Sequence, residues 1–267
     1  MLDNIIIGQY VPGNSFIHRM DPRAKLLCVM MFMIFLFVSR DPVFFTVAIS
    51  LALITLVMAK IPLRFYLKGM RIIVIIISFT FILHLFMTQE GPVLFETPIV
   101  TIYLGGVIQG GFVAIRLLVL VVMASLITLT TTPMGLTDGM ETLMKPLSKM
   151  GVPTHELALM MSIALRFIPT LLEETTKIIK AQMARGANFT QGSIWKRIKA
   201  FIPILVPLFV QSFKRAEDLA TAMEARGYEG GHGRTKFRLL HWKSNDTMAI
   251  IIFSLYSILA IITRINS

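Results

Sequence analysis

Two copies of the tripeptide Ala-Arg-Gly are the residues whose type and spacing could do chemistry at a partner surface. They occur at Ala184-Arg185-Gly186 and at Ala225-Arg226-Gly227, so the two arginines lie 41 positions apart. A guanidinium group stays charged and can donate two parallel hydrogen bonds to a carboxylate or to neighbouring carbonyls. Each arginine could therefore enter a partner groove that is lined by such acceptors.

Each tripeptide is equally suited to end a helix. Alanine continues a helix at no cost in propensity, arginine is favourable beside the negative end of the helix dipole, and glycine closes the helix in a left-handed conformation. One copy predicts only a helix end, whereas two copies on two similar long helices favour a pair of docking tips. Both interpretations stay open on the residues alone. The flanks differ, with Gln182-Met183 before one arginine and Met223-Glu224 before the other, which favours two sockets that are not identical.

The two motifs resemble the Ala-Arg-Gly pair in the transmembrane T components of energy-coupling factor (ECF) vitamin transporters, the EcfT family. A second stretch supports the resemblance, since Pro-Gly-x-Ser-x-x-His at 12–18 and Asp-Pro-Arg-x-Lys at 21–25 are similar to the N-terminal signature of that family. The similarity extends over essentially the whole chain. We take the N-terminal stretch as a mark of kinship and not as a ligand site.

The resemblance implies a function and a set of partners. Each Ala-Arg-Gly motif would dock on one of two ABC-type ATPase subunits, which would bind ATP and Mg, while this chain would bind no cofactor and no metal. A membrane-embedded, substrate-binding S component would be held by the apolar faces of the two long helices. Our candidate contacts for the S component are Ala164, Leu165, Ile168, Leu205 and Leu208.

Composition identifies a membrane protein. Of the 267 residues, 55% are hydrophobic and only 15% are charged, against about 25% charged in soluble domains. The net charge of +11 comes from basic residues beside apolar spans, where the positive-inside rule explains them, and no nucleic-acid recognition motif accompanies them. Cys28 is the single cysteine, which excludes a disulfide within the chain and a cysteine metal cluster.

The apolar pattern predicts an all-α, polytopic fold with about five transmembrane helices and a cytoplasmic or interfacial module of three amphipathic helices, two of them long. We expect four spans in an N-terminal domain at 1–133, the coupling module at 134–243 and a last span in 244–267. The spans are predicted at 26–38, 43–59, 72–87, 111–130 and 248–262.

Loop charge predicts the orientation in the cell membrane. The stretch from Ile72 to Ile115 has no lysine or arginine, whereas the loop at 60–71 has four, so the former is expected outside and the latter inside. The N-terminus is then cytoplasmic and the C-terminus lies outside.

The coupling module is predicted to contain helices at 136–149, 154–185 and 193–226. Two apolar segments in it, 157–172 and 201–213, could be mistaken for spans. The second is too short and contains Pro203 and Pro207, and crossing would place many basic residues outside. The long helices therefore lie at or under the membrane surface, and the first would be about 48 Å long.

Three classes of function are compatible with such a chain. The first is a non-catalytic scaffold that couples two ATPases to a substrate-binding partner. The second is a permease that binds solute within its own bundle, which requires polar groups inside the spans, and only His84 qualifies. The third is an intramembrane enzyme, for which we find no nucleophile and base, paired acids or metal motif. The first class agrees best with the two arginine motifs.

Overall fold

The computed structural model describes residues 10–38, 41–96, 101–187, 189, 193–230 and 240–266. Within these ranges the chain is helical apart from turns, short connections and one short antiparallel pair, β1 (Val93–Glu96) and β2 (Thr101–Tyr103). The helices are α1 (Phe16–Arg19), α2 (Pro22–Val38), α3 (Pro42–Ala59), α4 (Leu63–Met87), α5 (Leu104–Thr130), α6 (Pro133–Met144), a 3-10 helix (Lys145–Met150), α7 (Thr154–Ala184), α8 (Ile194–Ala225) and α9 (Ser244–Asn266). The predicted all-α class is confirmed.

Four of the described helices are long and apolar enough to cross a membrane: Pro42–Ala59, Leu104–Thr130, Thr154–Ala184 and Ser244–Ile265. Helix α2 has 17 residues, and α4 contains the shorter apolar segment Ile73–Met87. The chain is thus a polytopic membrane protein. Helix α7 meets the length and composition requirement although the loop charges place it at the membrane surface, so its location stays a prediction, as does the number of five spans.

Several predicted starts were too late. Helix α6 begins at Pro133 and α9 at Ser244, against predicted starts at 136 and 248, and the differences at α4 and α5 are larger. Helix α4 begins at Leu63, so most of the basic stretch that we expected to be a loop is helical. Lysine and arginine are good helix formers, so a run of basic residues does not prevent a helix from starting there. Helix α5 begins at Leu104 and not at Gly111, directly after β2.

The described residues pack as two compact units, one within Gly8–Gly139 and Leu240–Ser267, the other within Met140–Leu239. The core of the first unit is aromatic. The ring of Tyr256 on α9 lies between Phe32 on α2 and Phe44 on α3, with ring centroids 5.1 and 4.8 Å away. These stacked rings join α9 near the C-terminus to the consecutive helices α2 and α3 near the N-terminus.

Helices α4 and α5 approach closely at glycines. A Cβ on Gly106 would lie 2.9 Å from the carbonyl oxygen of His84, and one on Gly110 would lie 3.1 Å from the ring of Phe81. Two small residues four positions apart permit such a close approach of two helices. A polar side chain within a span often bonds to a neighbouring helix. The His84 ring instead bonds to the carbonyl oxygen of Thr80 in its own helix, at 2.9 Å.

Candidate docking site

The first Ala-Arg-Gly motif forms a regular helix end. Arg185 is the C-cap of α7 with φ −84° and ψ 6°, and Gly186 follows with φ +87°. The backbone N–H of Gly186 donates to Met183 at 3.0 Å, and that of Ala187 donates to Gln182 at 2.9 Å. These two bonds are the Schellman pattern, which satisfies the last carbonyls of the helix and requires a left-handed residue at the glycine position.

The second motif has the same geometry. Arg226 caps α8 with φ −92° and ψ 9°, and Gly227 has φ +69°. The N–H of Gly227 donates to Glu224 at 2.9 Å and that of Tyr228 donates to Met223 at 3.0 Å. A Cβ on either motif glycine would meet no atom within 4 Å, so the positive φ and not crowding demands glycine here.

All six predicted motif residues are exposed: Ala184, Arg185, Gly186, Ala225, Arg226 and Gly227. The alanines end their helices and the arginines lie at the tips. The structure therefore presents two guanidinium groups at helix C-termini of the same local shape. Docking on a partner remains a prediction for these residues.

Helices α7 and α8 are antiparallel, as their side-chain contacts demonstrate. Near the end of α7 and the start of α8, the rings of Phe189 and Phe201 lie 5.7 Å apart. Farther along, Glu174 on α7 pairs with Arg215 on α8. Leu159, near the start of α7, shares a cleft with the residues that end α8. Because the contacts run in opposite order along the two helices, the two arginine tips lie at opposite ends of the helix pair.

The ion pair between Glu174 and Arg215 was not predicted from the sequence. Only 20% of the Glu174 side chain and 30% of the Arg215 side chain are exposed. The Arg215 guanidinium also lies over the ring of Phe167, 5.6 Å from its centroid, which adds a cation–π contact. A sequence signal existed, since a glutamate and an arginine 41 positions apart match the spacing of the two motifs.

A cleft of about 360 Å³ adjoins the second arginine tip. Its lining combines the guanidinium-bearing Arg226 with acidic, aromatic and apolar residues: Leu159, Met223, Arg226, Gly227, Tyr228, Glu229 and Gly230. Several positions that follow the first tip, namely 188 and 190–192, lie outside the described residues. At the second tip the cleft could receive a partner side chain next to the arginine.

The residues predicted to contact an S component lie on the long helices as expected, and they differ in exposure. Ala164 and Leu205 are exposed, whereas Leu165, Ile168 and Leu208 are half-buried. Helix α8 buries Ile204, which is 3% exposed, and leaves a broad apolar face uncovered. That face comprises Ile198, Phe201, Ile202, Leu205, Val206, Phe209, Val210 and Phe213.

The N-terminal signature residues are used in packing. Ser15 is the N-cap of α1, and its hydroxyl bonds to Nδ1 of His18 at 2.7 Å, while Nε2 of His18 donates to the carbonyl of Val11 at 3.0 Å. A Cβ on Gly13 would lie 2.8 Å from that imidazole ring, so any larger residue at position 13 would displace the ring from this position. The segment is joined to α5 because the Val11 N–H donates to Leu129 at 3.0 Å.

The second part of the signature, Asp-Pro-Arg-x-Lys at 21–25, supplies side chains that hydrogen-bond to the ends of α2 and α5. Lys25 is only 4% exposed, and its Nζ donates to the carbonyl of Thr130 at 3.0 Å and to the hydroxyl of Thr131 at 3.1 Å, at the C-terminus of α5. The cation thereby satisfies a terminal carbonyl and the negative end of that helix dipole. Asp21 caps α2 through the N–H of Arg23 at 2.8 Å. Each of these bonds is a packing contact within the protein.

Comparison with known proteins places the chain. Residues 13–237 match the family CbiQ, described as cobalt transport protein. A Bacillus selenitireducens protein named energy-coupling factor transporter transmembrane protein EcfT is 60% identical over 96% of each chain. Proteins of the same name from Bacillus subtilis and Thermosediminibacter oceani are 51% and 49% identical, over 94–98% of the chains. The chain therefore belongs to the CbiQ family and is a transmembrane component of the EcfT type of an energy-coupling factor transporter.

Proposed function

We propose that this chain is the non-catalytic scaffold that couples two ABC-type ATPases to a substrate-binding S component during vitamin or micronutrient uptake. The observation that supports this proposal is the pair of equal arginine tips at opposite ends of two antiparallel helices. A scaffold of this shape fits a partner dimer that has one groove on each subunit. ATP and Mg bind to the ATPases, and this chain supplies no catalytic group.

The tips suit recognition of ATPase grooves. Each Schellman pattern fixes the direction in which the chain continues after the helix. The arginine is then the C-cap residue and is exposed at the end of the helix. A guanidinium at that position can bind a carboxylate or a pair of carbonyls on the ATPase. The differing flanks of the two arginines, Gln182-Met183 and Met223-Glu224, suit two ATPases that are not identical.

The apolar faces suit the membrane-embedded partner. Exposed aromatic and aliphatic residues line α8 from Ile198 to Phe213. A helix face in contact with water would carry polar residues there, so a large apolar patch indicates a partner or lipid. The S component would cover this face, together with Ala164, Leu165 and Ile168 of α7. Lipid would cover the apolar faces of the membrane spans. In this arrangement the module at 134–243 is cytoplasmic, with the N-terminus inside and the C-terminus outside.

The decisive experiment removes the arginines in the assembled transporter. We expect Arg185→Ala or Arg226→Ala alone to reduce vitamin uptake strongly while some ATPase still co-purifies, because the remaining tip keeps the effective concentration high. The double variant should lose both ATPases and all uptake. Each lost tip leaves buried acceptors unpaired, at a cost of about 2–5 kcal/mol.

The matched controls are Lys180→Ala on α7 and Lys214→Ala on α8, which remove exposed cations from the same helices outside the two Ala-Arg-Gly motifs. These controls should assemble and transport normally. Lysine at either tip should restore part of the function, since it retains the charge without the planar fork. A double arginine variant that still assembles and transports would disprove the docking role.

A further inference from the structure

Glu174 and Arg215 occupy equivalent positions on the two long helices. Glu174 precedes Arg185 by the same number of residues as Arg215 precedes Arg226, because both pairs of positions are 41 apart. At 1.5 Å per residue, each arginine tip lies about 16 Å along its helix from the ion pair. The helices are antiparallel, so the two equal arms extend in opposite directions from this contact.

The charges around the contact are complementary between equivalent positions. Glu173 and Lys177 of α7 correspond to Lys214 and Asp218 of α8, and all four are exposed. Equivalent positions thus form three pairs of opposite charge. Of these three, only Glu174 and Arg215 are in contact, and both side chains are largely buried. In two antiparallel helices, residues with the same position relative to the helix end can meet at one place only. Glu174 and Arg215 are such residues, so α7 and α8 cross at this ion pair.

The contact has one hinge-like property. A single N–H of Arg215 donates to Oε1 of Glu174, whereas Oε2 of Glu174 and the second terminal nitrogen of Arg215 are buried without a hydrogen-bond partner among the described residues. Two parallel bonds would fix the relative orientation of carboxylate and guanidinium. One bond together with the ring of Phe167 holds the two side chains in contact without fixing the relative orientation of the carboxylate and the guanidinium.

We propose that the Glu174–Arg215 pair is the pivot about which α7 and α8 change their crossing angle, and that it sets the separation of the two arginine tips. Glu174 and Arg215 are positioning residues, since they act through Arg185 and Arg226. Equal arms make both tips move by the same distance when the angle changes, which keeps the two ATPases in step. The link to ATPase movement rests on the proposed function, but the geometric role of the pair does not.

Spin labels on the full-length chain in detergent test the geometric role. Lys180 and Thr221 are exposed and lie equally far before the two tips. The parent protein carries a spin-labelled cysteine at each of these positions and alanine in place of the buried Cys28. The distance between the two labels reports the crossing angle of α7 and α8. We expect one narrow distance distribution in this parent and a distribution at least twice as wide for Glu174→Gln or Arg215→Met. The exchange Glu174→Arg with Arg215→Glu should narrow it again.

The neighbouring exposed residues provide matched controls, because Glu173→Gln and Lys214→Met remove charges of the same sign one position away. These controls should leave the distribution unchanged. Each variant is first checked for monodisperse elution, so that a misfolded chain is not measured. An unchanged distribution in Glu174→Gln, or no narrowing in the exchange variant, would overturn the pivot.

A second readout separates the pivot from the docking proposal. In the assembled transporter, Glu174→Gln should retain both ATPases yet lower the vitamin molecules transported per ATP hydrolysed several-fold, and the exchange variant should recover most of the loss. If the arginine-tip variants keep their ATPases, the docking proposal fails whatever the labels report. If the tip variants behave as proposed and Glu174→Gln transports with normal yield, the pivot alone fails.

Discussion

The carboxylate of Asp246 accepts a hydrogen bond from the backbone N–H of Asp21 at 2.9 Å, across 225 positions of sequence. Its second oxygen accepts from the N–H of Lys243 at 2.8 Å, one half of a capping box at the start of α9. Asp21 in turn caps α2. Asp246 is 0% exposed, so one buried carboxylate joins the N-termini of the first and last long helices of this unit.

Replacing Asp246 with alanine should lower the stability of the purified chain markedly. The buried N–H of Asp21 would lose its acceptor, at a cost of about 1–3 kcal/mol, and the capping bond from the N–H of the exposed Lys243 would be lost as well. Thermal unfolding in detergent measures the effect as a lower midpoint. Asp218→Ala removes an exposed carboxylate on α8 and should leave the midpoint unchanged. A midpoint for Asp246→Ala equal to the control would contradict this role.

His18 should make the N-terminal packing sensitive to acid. Burial lowers the pKa of His18 below its usual 6.5; the hydrogen bond with Val11 opposes this shift and the charge of Lys25 adds to it. The unfolded chain therefore takes up a proton at a higher pH than the folded chain does. The stabilisation is complete above pH 6.5 and is lost as the pH falls from there toward the lower pKa of the folded state.

The measurement is the unfolding midpoint between about pH 7.5 and pH 5.5, on either side of the ordinary histidine pKa. The parent should lose stability across this window, and His18→Gln, which cannot titrate, should lose less. The exposed His241→Gln serves as the control and should retain the slope of the parent. Equal slopes in all three proteins would show that His18 does not titrate with folding.

The sequence predicted those parts of the fold that local chemistry decides. The ends of α7 and α8 were placed within one residue, because Ala-Arg-Gly combines a helix former with a residue that can adopt positive φ. The start of α4 was placed too late, because a run of basic residues marks a membrane boundary but does not interrupt a helix.

Contacts between residues that are far apart in the sequence cannot be read from local sequence patterns. The pairing of Asp21 with Asp246 joins two carboxylate residues and follows no charge rule, since the donor is a backbone N–H. The pairing of Glu174 with Arg215 depends on two helices crossing at equivalent positions. Its sequence signal is a glutamate and an arginine at the same separation of 41 positions that relates the two Ala-Arg-Gly motifs.

A methyl group added to Gly105 should disturb the α4–α5 hairpin. Its Cβ would lie 2.4 Å from the carbonyl oxygen of Glu90, which accepts the Gly105 N–H at 2.9 Å, so backbone must move. We expect Gly105→Ala to destabilise the chain by about 1–3 kcal/mol. Gly111→Ala is the control in the same helix, where no atom lies within 4 Å, and it should be neutral or stabilising by up to about 1 kcal/mol. Similar thermal midpoints for the two variants would refute the close approach.

The proposed orientation predicts that β1 lies outside the cell and that the end of α7 lies in the cytoplasm. Glu96 lies in β1 within the stretch that lacks basic residues, and Lys180 lies near the end of α7; both are exposed. With Cys28 replaced, a cysteine at Glu96 should react with an impermeant thiol reagent on intact cells. A cysteine at Lys180 should react only after lysis. Labelling of the Lys180 position from outside would exclude a cytoplasmic coupling module.

The glycine of each motif should be as necessary as the arginine for docking, although it offers no side chain to a partner. Gly227 has φ +69°, a conformation that costs a β-branched residue about 1–2 kcal/mol or more. Gly227→Val should therefore unwind the last turn of α8 and displace Arg226, and less ATPase should co-purify. Gly227→Asn should retain most of it, because asparagine tolerates the left-handed region.

Gly151 provides the control for strain alone. It has φ +87° at the end of the 3-10 helix, and a Cβ on this glycine, like one on Gly227, would meet no atom within 4 Å. Gly151→Val imposes the same backbone cost outside both motifs, so it should lower the unfolding midpoint without reducing the ATPase that co-purifies. If Gly227→Val and Gly151→Val reduced ATPase retention equally, the loss would come from general destabilisation, and the Schellman end would have no specific part in presenting the arginine.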